Sequence, residues 1–115
     1  MNTVSVGRLG EDIACKFLER NGYAIIKRNY RAAGGEIDII AKKNMHLSFV
    51  EVKTRKNQKF GYASDAVDYH KQRKIIQTAR AFLMRYTTYE DISFDVCEIY
   101  TESKYINYIE AAFEQ

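Results

Sequence analysis

Four charged side chains occupy alternate positions in two short segments: Glu36 and Asp38 in Gly35-Glu36-Ile37-Asp38-Ile39-Ile40-Ala41, and Glu51 and Lys53 in Leu47-Ser48-Phe49-Val50-Glu51-Val52-Lys53. Both segments have the aliphatic, β-branched content of strands. Between them, Lys43-Asn44-Met45-His46 offers a hairpin turn in which asparagine tolerates positive φ. With Asn44-Met45 as the turn, antiparallel pairing sets Asp38 opposite Glu51 and Glu36 opposite Lys53. The two-residue period then brings all four onto one face and leaves Ile37, Ile39, Val50 and Val52 to the other. Opposed carboxylates with Cβ atoms about 4.5–5.5 Å apart repel each other. The same pair is what a hard cation such as Mg²⁺ requires, since Mg²⁺ takes one or two protein carboxylates and fills its octahedron with water and substrate phosphate. Lys53 adds a positive charge beside that ion. The alternative is a solvent-facing strand with Glu–Lys cross-strand pairs worth about 0.2–1 kcal/mol each. Ile40, Leu47 and Phe49 share the charged face and favour a covered surface.

The surrounding pattern supplies the elements that would position these groups. Val6, Leu9, Ile13 and Phe17, joined by Ala14 and Leu18, recur at helical spacing; Thr3 or Ser5 can cap the start, and Asn21-Gly22 makes a C-terminal stop. Glu11 lies in line with Ala14 and Leu18 at the stripe's edge, whereas Asp12, Lys16 and Glu19 point away. An acid there complements the helix dipole, worth about 0.3–1 kcal/mol, or reaches the hairpin. Tyr23 to Tyr30 reads as a first strand, and Arg31-Ala32-Ala33-Gly34-Gly35 as a turn. Thr54 to Ala63 is a basic and aromatic loop in which Phe60 or Tyr62 either stacks on a base or packs back on the domain. Ser64-Asp65 opens a helical region running through Ala66, Val67, Ile75, Ile76, Ala79, Phe82, Leu83 and Tyr86, with a break near Tyr69-His70. Ile92-Phe94-Val96 and Tyr105 to Phe113, joined by Thr101-Glu102-Ser103-Lys104, read as a final strand pair. The order α-β-β-β-α-β-β implies an α/β sandwich around a mixed central sheet.

The chain has 115 residues, 46% hydrophobic and 29% charged, the proportions of one folded domain spanning 1–115. It has neither a run of about 20 apolar residues nor a secretory signal, so no membrane partner is expected and the cytoplasm is the simplest location. Cys15 and Cys97 form no CxxC and read as free thiols; His46 and His70 add no ligand pattern and read as turn or surface residues. The net charge is only +3, but the cations are clustered. Lys27, Arg28 and Arg31 precede the first acidic segment, Lys53, Arg55, Lys56 and Lys59 follow the second, and Lys71, Arg73 and Lys74 open the long helix. Converging on the carboxylates, they would surround a metal site with phosphate-binding charge; each cluster alone also fits a solvated surface.

Asp38 followed by Glu51-Val52-Lys53 on the neighbouring strand resembles the D…ExK core of the PD-(D/E)xK nuclease superfamily, which includes type II restriction enzymes and archaeal Holliday-junction resolvases. More narrowly, Gly10-Glu11, Arg28-Asn29-Tyr30-Arg31, Gly35-Glu36-Ile37-Asp38, Phe49 to Arg55, Phe60-Gly61 and Ala112-Phe113 resemble the small bacterial YraN-like family, a predicted endonuclease group. The resemblance covers nearly the whole chain. It implies a restriction-endonuclease-like fold and metal-dependent hydrolysis of DNA, with Mg²⁺ or Mn²⁺ held by Asp38, Glu51, the Val52 carbonyl and Glu11. Lys53 would act as a charged, electrostatic group favoured by its carboxylate neighbours. Glu36 would tether Lys53 or support it, and Lys71 or Gln72 would approach the scissile phosphate. The likeness to resolvases points to branched or repair-type DNA, and symmetric nicking would require a homodimer. A non-catalytic nucleic-acid-binding module and an RNA-directed nuclease remain the alternatives.

Overall fold

The computed structural model describes residues 3–57 and 67–115, with residues 3–6 in backbone only. Seven elements follow in the expected order: α1 (Thr3–Arg20), β1 (Ala24–Ala32), β2 (Gly35–Lys43), β3 (His46–Arg55), α2 (Tyr69–Leu83), β4 (Asp91–Tyr100) and β5 (Tyr105–Phe113). The strands form one mixed sheet in the order β1-β2-β3-β4-β5. β3 and β4 run parallel, from His46↔Asp91 to Arg55↔Tyr100, and the other neighbours are antiparallel. Parallel neighbours need a crossover, and α2 lies in that connection. Glu51 and the run from Phe94 to Tyr100 are buried where β3 and β4 meet.

Neighbouring residues of a strand face opposite sides of the sheet, and the core divides accordingly. Phe49, Leu47 and Ile40 pack with Ile75, Ile76, Ala79 and Phe82 of α2. Val50, Ile39 and Ala41 pack with Ala14, Cys15 and Leu18 of α1. Each helix thus covers one face. Ile37 departs from the expected alternation, joining the α2-side cluster while Ile39 joins the α1 side. The regular β2–β3 ladder ends between them, so simple period-two counting fails at Asp38.

Helix α1 meets β3 more closely than its apolar stripe suggested. A Cβ on Gly10 would run into the Thr54 hydroxyl, so only glycine lets the helix backbone settle there. This contact puts the line Gly10-Ala14-Leu18 against the sheet and turns Leu9, expected in the stripe, 47% exposed to solvent. The helix ends as a Schellman motif: Tyr23 N–H donates to Leu18 O at 3.0 Å, Gly22 N–H to Glu19 O at 3.1 Å, and Gly22 takes φ 89°.

Both early turns have two residues. Ala33 and Gly34, at φ 53° and 78°, close β1 onto β2 with the two positive φ values of a type I′ turn. Asn44, at φ 55°, closes β2 onto β3 with Lys43↔His46 pairing, as the turn residues required. Helix α2 starts at Tyr69 behind Asp68, whose carboxylate accepts from Lys71 N–H at 2.8 Å. The expected helix start at Ser64-Asp65, with Ala66, lies outside the described residues, as do Phe60, Gly61 and Tyr62; the side chains of Ser5 and Val6 do also. Both cysteines are buried free thiols.

Candidate active site

The β2–β3 ladder keeps the anticipated register from Lys43↔His46 to Ile39↔Val50 and then stops. At the next position Asp38 and Glu51 replace the ladder with side-chain chemistry: Val52 N–H donates to Asp38 Oδ2 at 2.8 Å. The strands therefore part where the two carboxylates stand. Glu51 is buried, its side chain 9% exposed. Two ammonium groups reach the same oxygen, Lys71 Nζ at 2.8 Å and Lys53 Nζ at 3.7 Å from Glu51 Oε1. Lys71 arrives from the first turn of α2, placed there by the Asp68 cap on its backbone N–H.

The electrostatics follow from this crowding. Burial, then the charge of Glu51, lifts Asp38 from 3.8 to about 7, against the opposing Val52 hydrogen bond; Glu11 and Glu36 add smaller upward contributions. Lys53 is shifted down, first by burial and then by the neighbouring Lys71 ammonium. This reverses the expectation that adjacent carboxylates would dominate at Lys53, because burial and then a second cation outweigh them. Burial also pulls Lys71 down, but its pairing with the Glu51 carboxylate outweighs that and its pKa is raised.

Asp38, Glu51, Glu36, Lys71, Lys74 and His70 line one cleft of about 370 Å³ between α2 and the parting strands. His70, read from sequence as a turn or surface residue, is exposed as expected and stands at the edge of this cleft beside Lys71. Glu36 does not tether Lys53: among the described residues its ionic partner is Arg31, at 3.6 Å. Gln72 donates from Nε2 to Val67 O at 2.9 Å and fastens the segment before α2. Glu11 lies 3.7 Å from Arg28, which is held more tightly by Asp12 at 2.8 Å. Of the anticipated basic clusters, Lys71 and Lys74 line the cleft of the carboxylates, whereas Arg28 and Arg31 line a separate cleft with Glu11 on the α1 side. Arg73 is half-buried on α2 and Arg55 half-buried at the end of β3. Lys56 lines a separate cleft with Asn57, Tyr100, Glu102 and Ser103, and Lys59 lies outside the described residues.

Sequence reading passed over Glu98. It sits on β4 directly beside Lys53, buried, accepting from Asn107 Nδ2 at 2.6 Å and Tyr100 OH at 3.0 Å. Asp95 and Glu98, set among the apolar residues from Phe94 to Ile99, were the signal, since buried carboxylates need dedicated donors. Asp95 has them in Tyr108 OH and Ala111 N–H. His46, far along β3 from the carboxylates, bridges Asp91 at 2.9 Å and Ser93 at 2.7 Å and clamps the start of β4.

Among the described residues no group of three or more His, Cys, Asp or Glu side chains is spaced to hold a metal ion. Asp38 and Glu51 are instead a pair of carboxylates lining one cleft, and such a pair, with open positions for water and phosphate, would suit Mg²⁺ or Mn²⁺ rather than a closed structural cage.

The profile of "Uncharacterised protein family UPF0102" matches residues 10–99, from the close-packing glycine of α1 through Glu51 and Lys53 to the end of β4. The chain belongs to the UPF0102 family. It is 44% identical to a UPF0102 protein of Caldicellulosiruptor bescii over 98% of this chain and all of that protein. It is also 43% identical to one of Clostridioides difficile over 98% of this chain and all of that protein. A UPF0102 protein of Chloroherpeton thalassium is 48% identical over 72% of this chain and 65% of its own length. This membership agrees with the YraN-like motifs. Among the described UPF0102 residues of this chain, no helix is long and apolar enough to cross a membrane.

Proposed function

We propose that this UPF0102 protein is a metal-dependent nuclease that hydrolyses phosphodiester bonds in DNA. The observation that carries the proposal is the break in β2–β3 pairing at Asp38 and Glu51, which leaves two carboxylates together, partly against their own repulsion, in a cleft flanked by lysines. Stability alone does not favour such a pair, whereas a metal-dependent phosphodiesterase site uses one to bind its cation. The α-β-β-β-α-β-β order and the sequence of Asp38 before Glu51-Val52-Lys53 support the same reading through their likeness to PD-(D/E)xK nucleases.

Asp38 and Glu51 would hold Mg²⁺ or Mn²⁺, with the Val52 carbonyl as a supporting donor; Glu11, expected as a further ligand, is not spaced to join them and stands beside Arg28. A bound ion supplies a water of lowered pKa and a positive charge against the attacked phosphate. Lys53, close to Glu51, orients the attacking water and faces the negative charge that builds on phosphorus substituents. Lys71 stands ready for a phosphate oxygen, and Lys74 lines the approach.

The test is cleavage of linear duplex, single-stranded, flap and four-way-junction DNA, and of RNA, with Mg²⁺ or Mn²⁺. Wild type should cut at least one DNA, Asp38→Asn and Glu51→Gln should cut none, and Lys53→Ala should stop cutting while Mn²⁺ still binds by calorimetry. Full activity in any of these purified variants rejects the mechanism. Preferential cutting of RNA would transfer the same site to the other polymer.

A second reading is a nucleic-acid-binding module without catalysis. The 2.8 Å Lys71–Glu51 pair favours it, because Lys71 already supplies Glu51 with a counter-charge. Binding without cutting, with no Mn²⁺ heat, would establish it.

A further inference from the structure

We infer that the cleft between α1 and β1 is a second phosphate subsite, so that a polynucleotide lies across the carboxylates with its backbone held on both sides. The inference rests on the nuclease reading and extends it from a single scissile phosphate to a polymer that continues past the site. The cleft has a volume of about 660 Å³, and Arg8, Arg28 and Arg31 line it with Glu11, Asp12 and Asn29.

Its electrostatics are asymmetric. Asp12 and Glu11 both face Arg28, at 2.8 and 3.7 Å, so their charges are met within the wall and that guanidinium is held in place. Arg8 is exposed and forms no ion pair among the described residues. Arg31 is 78% exposed in its side chain and only loosely joined to Glu36, at 3.6 Å. Two guanidinium groups therefore remain for an anion, and the planar fork of arginine matches phosphate oxygens.

The position of the cleft ties it to the carboxylates. Asn29 takes φ 51° and drops out of the β1–β2 pairing between Arg28↔Ile39 and Tyr30↔Ile37, which is the place opposite Asp38. Adjacent strands lie about 4.7–4.9 Å apart, so the floor of this cleft is one strand spacing from Asp38. Glu11 lines the cleft and is near enough for its charge to act on Asp38. On the far side of Asp38, Lys71 and Lys74 line the other cleft. The carboxylates thus lie between two cationic walls, the arrangement expected for cutting within a chain.

Gly7, at the cleft's edge, gives a discriminating variant. A Cβ there meets no heavy atom within 4 Å, so Gly7→Glu places a negative charge at the mouth without a clash. Replacing a helical glycine also favours the helix, so lost binding in this variant would not come from unfolding. The experiment is fluorescence anisotropy of labelled DNA in EDTA across a salt series, with thermal melts and metal-dependent cleavage measured on the same preparations. Arg8→Ala and Arg31→Ala should each weaken binding several-fold and reduce the slope of log K against log salt by roughly 0.7–0.9. Gly7→Glu should weaken binding at least as much without lowering the melting temperature. If wild type cuts DNA but all three variants bind with its affinity and slope, the subsite is refuted and the nuclease reading stands. If the variants lose binding as expected but wild type never cuts, the subsite stands and the nuclease reading falls. If wild type neither binds nor cuts DNA, both are refuted; if it cuts with metal but does not bind in EDTA, the subsite is refuted and the nuclease reading stands.

Discussion

The charged form of Asp38 is held at a disadvantage by burial and then by Glu51, with a consequence for stability. Its carboxyl is raised from 3.8 to about 7 in the folded protein, so the folded state binds the proton more tightly than the unfolded chain. The contribution is fully favourable below about pH 4 and is lost as pH rises through about 7, at most about 4 kcal/mol. In EDTA, Asp38→Asn should therefore melt higher than wild type at pH 8, with the difference vanishing near pH 4; asparagine keeps an oxygen for Val52 N–H. Equal melting temperatures at both pH values would show that burial and Glu51 together do not disfavour the ionised Asp38. At Lys71 the prediction concerns competition. Its ammonium already occupies Glu51 Oε1, so Lys71→Gln should tighten Mn²⁺ binding several-fold in calorimetry while slowing cleavage of DNA.

Among the elements, two junctions set the site. Gly10 seats α1 on β3 against Thr54. Gly10→Ala should lose roughly 1–2 kcal/mol by denaturant unfolding, overpacking outweighing the better helix propensity of alanine. Adding Thr54→Ala removes the hydroxyl and leaves the nearest remaining Thr54 atom at 3.5 Å, so the double variant should recover much of the loss in a mutant cycle. At the other helix, Asp68 caps α2 through Lys71 N–H. Asp68→Ala should cost about 1 kcal/mol and reduce activity more than that loss explains, because the backbone position of Lys71 depends on the cap.

At the scale of the molecule, one cleft holds the carboxylates with Lys71 and Lys74, and a second is lined by Arg8, Arg28 and Arg31, although the net charge of the chain is only +3. A divalent ion bound only by the folded protein stabilises it by mass action, about 2.7 kcal/mol at a hundred times its dissociation constant. Mn²⁺ should accordingly raise the melting temperature of wild type and leave that of Asp38→Asn nearly unchanged, a readout independent of cutting. The effect should grow from pH 5 to pH 8, as the proton leaves Asp38.

The amino-acid sequence by itself determined the element order, both ends of the β2–β3 hairpin register up to Ile39↔Val50, the Gly22 helix stop and the identity of the carboxylate pair. These are local quantities: periodicity, turn chemistry and spacing along one chain. Tertiary structure alone decided that the ladder stops at Asp38, that Lys71 of α2 reaches Glu51, that Glu36 turns to Arg31 and that Glu98 stands beside Lys53. It also turned Leu9 outward and brought Arg8 and Asp12 beside Arg28. Each of those outcomes depends on how a helix settles on a sheet or which strands become parallel neighbours. The balance of burial and charge among residues distant in sequence fixes them, and no single segment carries that information.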